Sequence, residues 1–259
     1  MTQHYDNIAV ERRASTLWIR IDRPRSRNAL SRKTLAELGG AFTHHAADGA
    51  LKAAVLTGAG EAAFAAGGDL KELVHLRSAE DAGHLFDIAD QALGAIRRFP
   101  VPVIAALNGV ALGGGAELAL ACDFRIAAPH ARVGFIQGQL GLSSGFGGGT
   151  DLMRLLGPSR GLAHALNAEI LDAHQAHALG LIEEVAQRGE TLERCVERFL
   201  HPLARLTPQV VRAFKAMALA EREGEPLARR REIEREWFVR TWPSEAHWTA
   251  VEARQRKGG

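Results

Sequence analysis

Residues 105–128, AALNGVALGGGAELALACDFRIAA, decide the fold, because three consecutive glycines interrupt the longest nearly uncharged stretch of the chain. The run VPVIAAL at 101–107 leads into this stretch and is continuously apolar, which is typical of a strand buried on both faces of a sheet. The glycines at 113–115 then open a helix and leave bare backbone N–H groups at its start. A single acid, Glu117, stands directly behind them. The stretch therefore predicts a buried strand, a glycine corner and a helix carrying one carboxylate.

A second glycine corner lies upstream, in AFAAGGDLKEL at residues 63–73. Asp69, followed three residues later by Glu72, predicts a helix N-cap with a capping-box partner. Gly67 and Gly68 precede it and have no side chains, so their N–H groups can approach a ligand at the positive end of that helix. Two such corners, each following a strand, can converge on one oxygen. This is the arrangement that an oxyanion hole requires, with two donors facing developing negative charge, whereas each corner alone also fits an ordinary glycine-rich turn.

The remaining pattern alternates strands with helices. Apolar alternation around Ile8–Val10 and again at 17–21 predicts a hairpin, with the turn in ERRAS. A helix is predicted from about Ser31, a strand at Ala53–Gly58 and a second helix at Asp81–Phe99. FRIAA and VGF predict further short strands after the glycine-rich helix. The order strand, strand, helix therefore recurs along the chain.

From about Glu190 the pattern is helical to the end of the sequence. Pro208, Pro226 and Pro243 each stand where a helix can begin. Four aromatic residues are predicted to be exposed on this part and indicate a protein partner, most simply a second copy of the chain: Trp237, Phe238, Trp242 and Trp248.

Composition excludes several classes of protein. The 259 residues suffice for one large domain, and two cysteines, Cys122 and Cys195, indicate a reducing compartment without a disulfide framework. The first thirty residues carry charges throughout, so we expect no secretory signal and a cytoplasmic location. The net charge is +2 with acids and bases interleaved, so no nucleic-acid partner is expected. The sequence contains no run of about eighteen apolar residues, so no membrane-spanning helix is expected.

Two short motifs offer competing functions. GLSSG at 141–145 satisfies the G-x-S-x-G pattern of serine hydrolases, with Ser143 as the nucleophile. The histidines that follow it, and that could complete a triad, are His164, His174, His177 and His201. However, no clear strand ends at Gly141, as the hydrolase elbow requires. The pair in HQAH at 174–177 lacks accompanying carboxylates, so no metal site is expected.

Together with RPRSRNAL at 23–30 and GFGGGTDLMRLLG at 145–157, the two glycine corners closely resemble the enoyl-CoA hydratase/isomerase family, also called the crotonase superfamily. The resemblance covers nearly the whole chain. It implies an α/β fold built as a spiral of strand-strand-helix units, with a core at residues 1–200 and a helical trimerisation region at 201–259. It also implies a homotrimer or a dimer of trimers and an acyl-CoA substrate. Coenzyme A is then part of the substrate, and no cofactor is expected.

The resemblance assigns roles to individual positions. The N–H groups of Gly68 and Gly114 would form the oxyanion hole, and Glu117 matches one of the two catalytic carboxylates of hydratase members. The residues expected to contact the substrate and its CoA portion are Arg25, Arg27, Ala66, Gly67, Gly68, Asp69, Leu70 and Gly114. For Arg25 and Arg27, ordinary surface charge is an equal alternative.

The second hydratase carboxylate is missing from its expected position. Twenty residues beyond Glu117 the chain has VGFIQGQLG, and the matching residue is Gln137. An amide neither takes nor gives the protons that hydration needs, so Gln137 can only orient. Decarboxylation of a short alkylmalonyl-CoA is then favoured, because loss of carbon dioxide itself generates the enolate. Glu117 would guide or protonate the α-carbon. The chain is also locally similar to ethylmalonyl-CoA decarboxylase-type members, including its end, TWPSEAHWTAVEARQRK.

Three alternatives to decarboxylation stay open. The nearest is a 2-enoyl-CoA hydratase of the fatty-acid β-oxidation type that uses Glu117 as its only carboxylate. A second is an acyl-CoA binder without catalysis, and the most distant is a serine hydrolase at Ser143.

Overall fold

The computed structural model describes residues 4–258. The strands are β1 Ile8–Arg13, β2 Thr16–Ile21, β3 Ala53–Gly58, β4 Ala63–Ala65, β5 Val103–Leu107, β6 Val110–Leu112, β7 Phe124–Ala127, β8 Arg132–Gly134, β9 Ile170–Asp172 and β10 Glu184–Val185. The helices are α1 Arg32–His45, α2 Leu70–Leu73, α3 Ala79–Arg97, α4 Gly114–Ala121, α5 Gly148–Leu156, α6 Pro158–Asn167, α7 Ala173–Leu179, α8 Leu192–Leu200, α9 Pro208–Arg222, α10 Leu227–Thr241 and α11 Glu245–Gly258. Short 3-10 helices cover Pro24–Ser26, Gln137–Leu140 and His201–Arg205.

Two sheets organise the fold. The larger has the order β1-β2-β3-β5-β7-β10 and is parallel except for the β1-β2 hairpin. The smaller has the order β4-β6-β8-β9, and its first three strands are parallel. The chain places one strand in each sheet before it enters helical structure, as in β3-β4-α2, β5-β6-α4 and β7-β8-α5. This alternation is the predicted spiral of strand-strand-helix units.

The hydrophobic pattern accounts for the main elements. Every residue of β5 is buried, as the continuous apolar run predicts. Ser31 caps α1 through Thr34 N, and Ser78 forms a capping box with Asp81 at the start of α3. The helix predicted from Asp81 therefore begins two residues earlier, with Asp81 as its N3 residue.

The sequence misplaces two details. Most of ERRAS belongs to β1, and only residues 14–15 turn, with Ala14 at φ 51°. Asp69 does cap α2, but α2 has only four residues and Glu72 does not complete a capping box. The Asp69 N–H donates to the Leu30 carbonyl instead, and the Glu72 carboxylate binds Arg32.

The C-terminal part is helical, as predicted. α9 begins at Pro208, and Pro226 is the N-cap of α10. Phe238, Trp242 and Trp248 are exposed and their rings touch in sequence, whereas Trp237 is half-buried beneath Arg240. No helix within residues 4–258 has both the length and the apolar character that crossing a bilayer demands.

A buried ion pair fastens α9 to the sheets. Lys215, whose side chain is 3 % exposed, donates to both carboxylate oxygens of Asp123 at 2.5 and 2.6 Å. Burial lowers the pKa of the Lys215 ammonium, and the Asp123 carboxylate opposes that shift. Asp123 in turn accepts from the Val103 N–H at the start of β5.

We expect Lys215→Met to lower the free energy of unfolding by about 3–5 kcal/mol, because it leaves the Asp123 carboxylate in a largely buried site without its cation. Urea denaturation at fixed protein concentration measures the change. The control is Lys71→Met at an exposed lysine, expected within about 0.5 kcal/mol of the wild type. Equal stability of the two variants would contradict this role for the pair.

Candidate functional site

The two glycine corners leave the carboxyl ends of neighbouring strands. β4 and β6 are parallel, and Ala65 pairs with Ala111. Gly68 and Gly114 each lie three residues beyond that pair. The corners approach so closely that a Cβ on Gly115 would overlap the Ala65 carbonyl group. Strand register therefore brings together two corners that are distant in sequence.

Both predicted oxyanion donors are free of backbone partners. Gly114 is the first residue of α4, so its N–H has no partner within the helix. Within residues 4–258, neither its N–H nor that of Gly68 donates a hydrogen bond. Gly113 precedes α4 with φ 53°, a conformation that favours glycine. These are the properties that an oxyanion hole needs, and the role of the two N–H groups stays a prediction.

Glu117 lies in the first turn of α4 and is 1 % exposed. Its carboxylate accepts five hydrogen bonds, from a side-chain amide, a hydroxyl and three backbone N–H groups. Oε1 accepts from Gln137 Nε2 at 2.7 Å and Gly145 N at 3.2 Å, and Oε2 accepts from Ser144 Oγ at 2.6 Å, Phe146 N at 2.8 Å and Gly148 N at 2.8 Å.

The loop that surrounds Glu117 depends on glycine. Gly147 has φ 80°, and Gly148 packs directly on the acid. Because Gly148 is the first residue of α5, the carboxylate occupies the positive end of that helix. Donors therefore contact both oxygens of the Glu117 carboxylate and fix its position in the site.

Gln137 reaches the same carboxylate from a third strand. β8 is parallel to β6, with Gly134 paired to Leu112, and Gln137 begins the 3-10 helix just beyond β8. Its amide nitrogen faces Glu117, so its amide oxygen is left to accept from another group. The predicted donor Gly68 follows β4, the predicted donor Gly114 and the acid Glu117 follow β6, and the Gln137 amide follows β8. The pairing of these strands therefore brings the four groups into a single region.

The segment expected to contact CoA, residues 66–70, is hydrogen-bonded to the loop that carries Arg25 and Arg27. The Arg27 carbonyl accepts from the Ala66 N–H at 3.1 Å, and the Gly67 carbonyl accepts from the Leu30 N–H at 2.8 Å. The Arg25 and Arg27 side chains are exposed and have no carboxylate partner within residues 4–258. The structure therefore places both cations beside the glycine corner, and their role stays a prediction.

The Asp69 carboxylate forms an ion pair with Arg23, a residue that the sequence motifs did not single out. Arg23 Nη2 donates to Asp69 Oδ2 at 2.8 Å, and the hydrogen bond from Arg23 lowers the pKa of the Asp69 carboxyl. The same carboxylate caps α2 through the Lys71 N–H. Asp69 therefore shapes the corner with its side chain, whereas the neighbouring Leu70 is 70 % exposed and accessible to a ligand.

Comparison with known proteins settles the family. The profile of the enoyl-CoA hydratase/isomerase family matches residues 11–256. The chain belongs to this family. It is 39 % identical over 188 residues to a crotonyl-CoA hydratase of Syntrophomonas wolfei, covering 73 % of this chain and 72 % of that protein. It is 35 % identical over 193 residues to a short-chain-enoyl-CoA hydratase of Clostridium acetobutylicum, covering 74 % and 73 %.

The fold of this family member agrees with the match. The structure of an enoyl-CoA hydratase from Bacillus anthracis superposes with a TM-score of 0.90 at 32 % identity, covering 97 % of each chain. The protein is therefore an enzyme of the enoyl-CoA hydratase/isomerase family with the crotonase fold.

The serine-hydrolase interpretation does not fit the geometry. Ser143 is exposed and follows a 3-10 helix rather than a strand. Its hydroxyl donates to the Ser144 carbonyl, and no histidine of residues 4–258 hydrogen-bonds to it. His164 is buried elsewhere with Nε2 unpartnered, and burial lowers its pKa. The serine of GLSSG that contacts Glu117 is Ser144, the neighbour of Ser143.

Other nucleophile and metal chemistry also lacks a site in the described part of the chain. Burial raises the pKa of the Cys122 thiol to about 12 and that of Cys195 to about 11, so neither forms a thiolate near neutral pH. No three histidine, cysteine or acidic side chains among residues 4–258 are grouped as metal ligands.

Gly148→Ala tests the packing around the acid. The new Cβ would lie 2.5 Å from Glu117 Cγ and 2.7 Å from its Cα. We expect the free energy of unfolding to fall by about 1–3 kcal/mol, because the loop or the acid must move. Gly138→Ala is the matched control, since its Cβ would meet only the Ala165 oxygen at 3.8 Å. Equal denaturation midpoints for the two variants would show that the loop accommodates the new Cβ without loss of stability, which would contradict the prediction.

Proposed function

We propose that this family member is a 2-enoyl-CoA hydratase in which Glu117 is the only catalytic carboxylate. The observation that carries the proposal is the buried Glu117 carboxylate, which accepts five hydrogen bonds beside glycine corners with two free N–H groups. The hydratase names of the relatives support this reaction over decarboxylation.

The proposed reaction starts at the thioester carbonyl, whose oxygen lies between the N–H groups of Gly68 and Gly114. These donors polarise the conjugated double bond and stabilise the enolate that forms. A lost donor of this kind raises a barrier by about 3–4 kcal/mol. In other words, the glycine corners supply electrostatic stabilisation and transfer no proton.

Glu117 handles the proton in both halves of the addition. It takes one proton from a water molecule as the water oxygen bonds to the β-carbon. It then gives that proton to the α-carbon as the enolate collapses, so one water is consumed and the carboxylate returns to its ionised form. The Gln137 amide oxygen, which does not take part in the hydrogen bond to Glu117, accepts from the water and orients it. A single carboxylate is sufficient when acceptance and donation follow one another.

The CoA portion of the substrate extends over the first glycine corner. Arg25 and Arg27 supply exposed cations for its phosphates, and the backbone from Ala66 to Leu70 lies beside them. Coenzyme A arrives and leaves with the acyl group, so the proposed reaction needs no separate cofactor.

Decarboxylation of a short alkylmalonyl-CoA is the second candidate. Gln137 favours it, because that reaction needs no second carboxylate. The hydratase names of the relatives count against it.

Assembly and setting complete the proposal. The exposed rings of Phe238, Trp242 and Trp248 support a homotrimer, or a dimer of trimers, assembled through α10 and α11. We place the enzyme in cytoplasmic fatty-acid metabolism, without nucleic-acid or membrane partners.

A panel of CoA esters tests the reaction. Incubation with enoyl-, malonyl- and alkylmalonyl-CoA esters, followed by mass spectrometry, should give a hydrated product from a short enoyl ester and leave ethylmalonyl-CoA intact. Glu117→Gln should abolish hydration and retain ester binding, because an amide cannot accept the proton. Carbon dioxide loss without hydration would establish the second candidate. Binding without turnover of any ester would support a non-catalytic binder.

The arginine contacts have their own test. We expect Arg25→Ala with Arg27→Ala to raise KM for a short enoyl-CoA about tenfold and leave kcat unchanged, since only charge-assisted phosphate bonds are lost. KM for the same acyl group on N-acetylcysteamine, which lacks the phosphates, should stay at the wild-type value. Arg160→Ala, at another exposed arginine, is the matched control. Identical KM values for the CoA ester in all variants would identify both arginines as ordinary surface charge.

A further inference from the structure

Ser144 differs from the other four donors around Glu117. Its hydroxyl lies 2.6 Å from Glu117 Oε2, and the donors beside it are backbone N–H groups and the Gln137 amide nitrogen. Backbone N–H groups donate and never accept, whereas a hydroxyl does either. Ser144 reverses its contact with the acid by rotating its hydroxyl alone, whereas Gln137 would have to turn over its whole side-chain amide.

A second hydrogen bond fixes the present direction of the Ser144 hydroxyl. The Gly149 N–H donates to Ser144 Oγ at 2.8 Å, so the hydroxyl proton is directed away from Gly149 and toward the acid. Gly149 belongs to α5, which anchors the serine independently of Glu117. The hydroxyl can therefore rotate while its oxygen stays in place.

Protonation of Glu117 during turnover creates a local problem. The new O–H would be buried among donors, and a buried donor without an acceptor is destabilised. We propose that Ser144 is a positioning residue that solves this problem, because its hydroxyl rotates and accepts from the protonated Glu117. No bond to Ser144 forms or breaks, and the water-derived proton stays on Glu117 until it moves to the α-carbon. The inference rests on the proposed function, in which Glu117 holds that proton.

The serine is a poor candidate for a purely structural contact. Three backbone N–H groups and the Gln137 amide also donate to the carboxylate, so four hydrogen bonds remain when the serine hydroxyl is removed. The adjacent Ser143 is exposed and does not contact the acid, which makes it a control one residue away.

The experiment compares Ser144→Ala, Ser144→Thr and Ser143→Ala in two reactions. The first is hydration of crotonyl-CoA. The second is exchange of the α-hydrogens of saturated butyryl-CoA in deuterium oxide, which also protonates Glu117 but needs no water addition. Both rates and the KM values are measured on the full chain, with thermal denaturation as a check of folding.

We expect Ser144→Ala to lower kcat about 10- to 100-fold in both reactions by a similar factor, with KM within about threefold of the wild type. Ser144→Thr keeps the hydroxyl and should restore most of the rate, and Ser143→Ala should match the wild type. A structural role would instead raise KM and lower the denaturation temperature, which would overturn the inference.

Different results would contradict the proposed function and the inference about Ser144. A wild-type protein that neither hydrates nor exchanges any ester contradicts the proposed function itself. An active wild type together with an equally active Ser144→Ala contradicts only the inference about Ser144. If Ser144→Ala does not fold, Ser144→Thr decides: loss of kcat in a folded threonine variant also overturns the inference.

Discussion

The site depends on one constraint, which is that a carboxylate almost wholly removed from water must receive hydrogen bonds from the protein. Desolvation of an isolated carboxylate costs several kcal/mol even after relaxation, and the fold supplies five hydrogen bonds to Glu117. Three of them come from backbone N–H groups in one loop. That loop must therefore approach the acid closely, and Gly148 provides the space.

The loop is in turn held from outside by buried charges. Arg97, near the end of α3, donates to the Phe146 carbonyl at 3.1 Å and to Asp151 Oδ2 at 2.9 Å. Arg222 on α9 contacts the other oxygen of Asp151 at 2.8 Å. Helices α3, α5 and α9 are thus linked around the segment whose N–H groups face Glu117. The C-terminal helical region contributes in this way to the geometry of the acid.

Local spacing and hydrophobic pattern predict the alternation of strands and helices and the Asp69 cap, whereas the spiral fold and the role of Glu117 rest on the family resemblance. The local pattern misses β4, β6, β9 and β10, which have two or three residues each and exist only through pairing. The relatives also support the hydratase alternative rather than the decarboxylase interpretation drawn from Gln137.

The donors around the acid are the clearest example of what local pattern cannot show. GFGGG indicates a tight loop, but nothing in the letters says that its N–H groups turn toward a residue 28 to 31 positions earlier. The same holds for Arg23, whose partner Asp69 lies on a different loop, and for Ser144, which the sequence marks only as the neighbour of a hydrolase-like serine. Such contacts follow from the packing of β4, β6 and β8 side by side.

A crystal structure of the protein with bound butyryl-CoA, which cannot be hydrated, tests the central claim most directly. The account predicts a thioester oxygen about 2.7–3.1 Å from both Gly68 N and Gly114 N, with the α- and β-carbons facing Glu117. A thioester oxygen distant from either N–H, or an acyl chain directed away from Glu117, would contradict it.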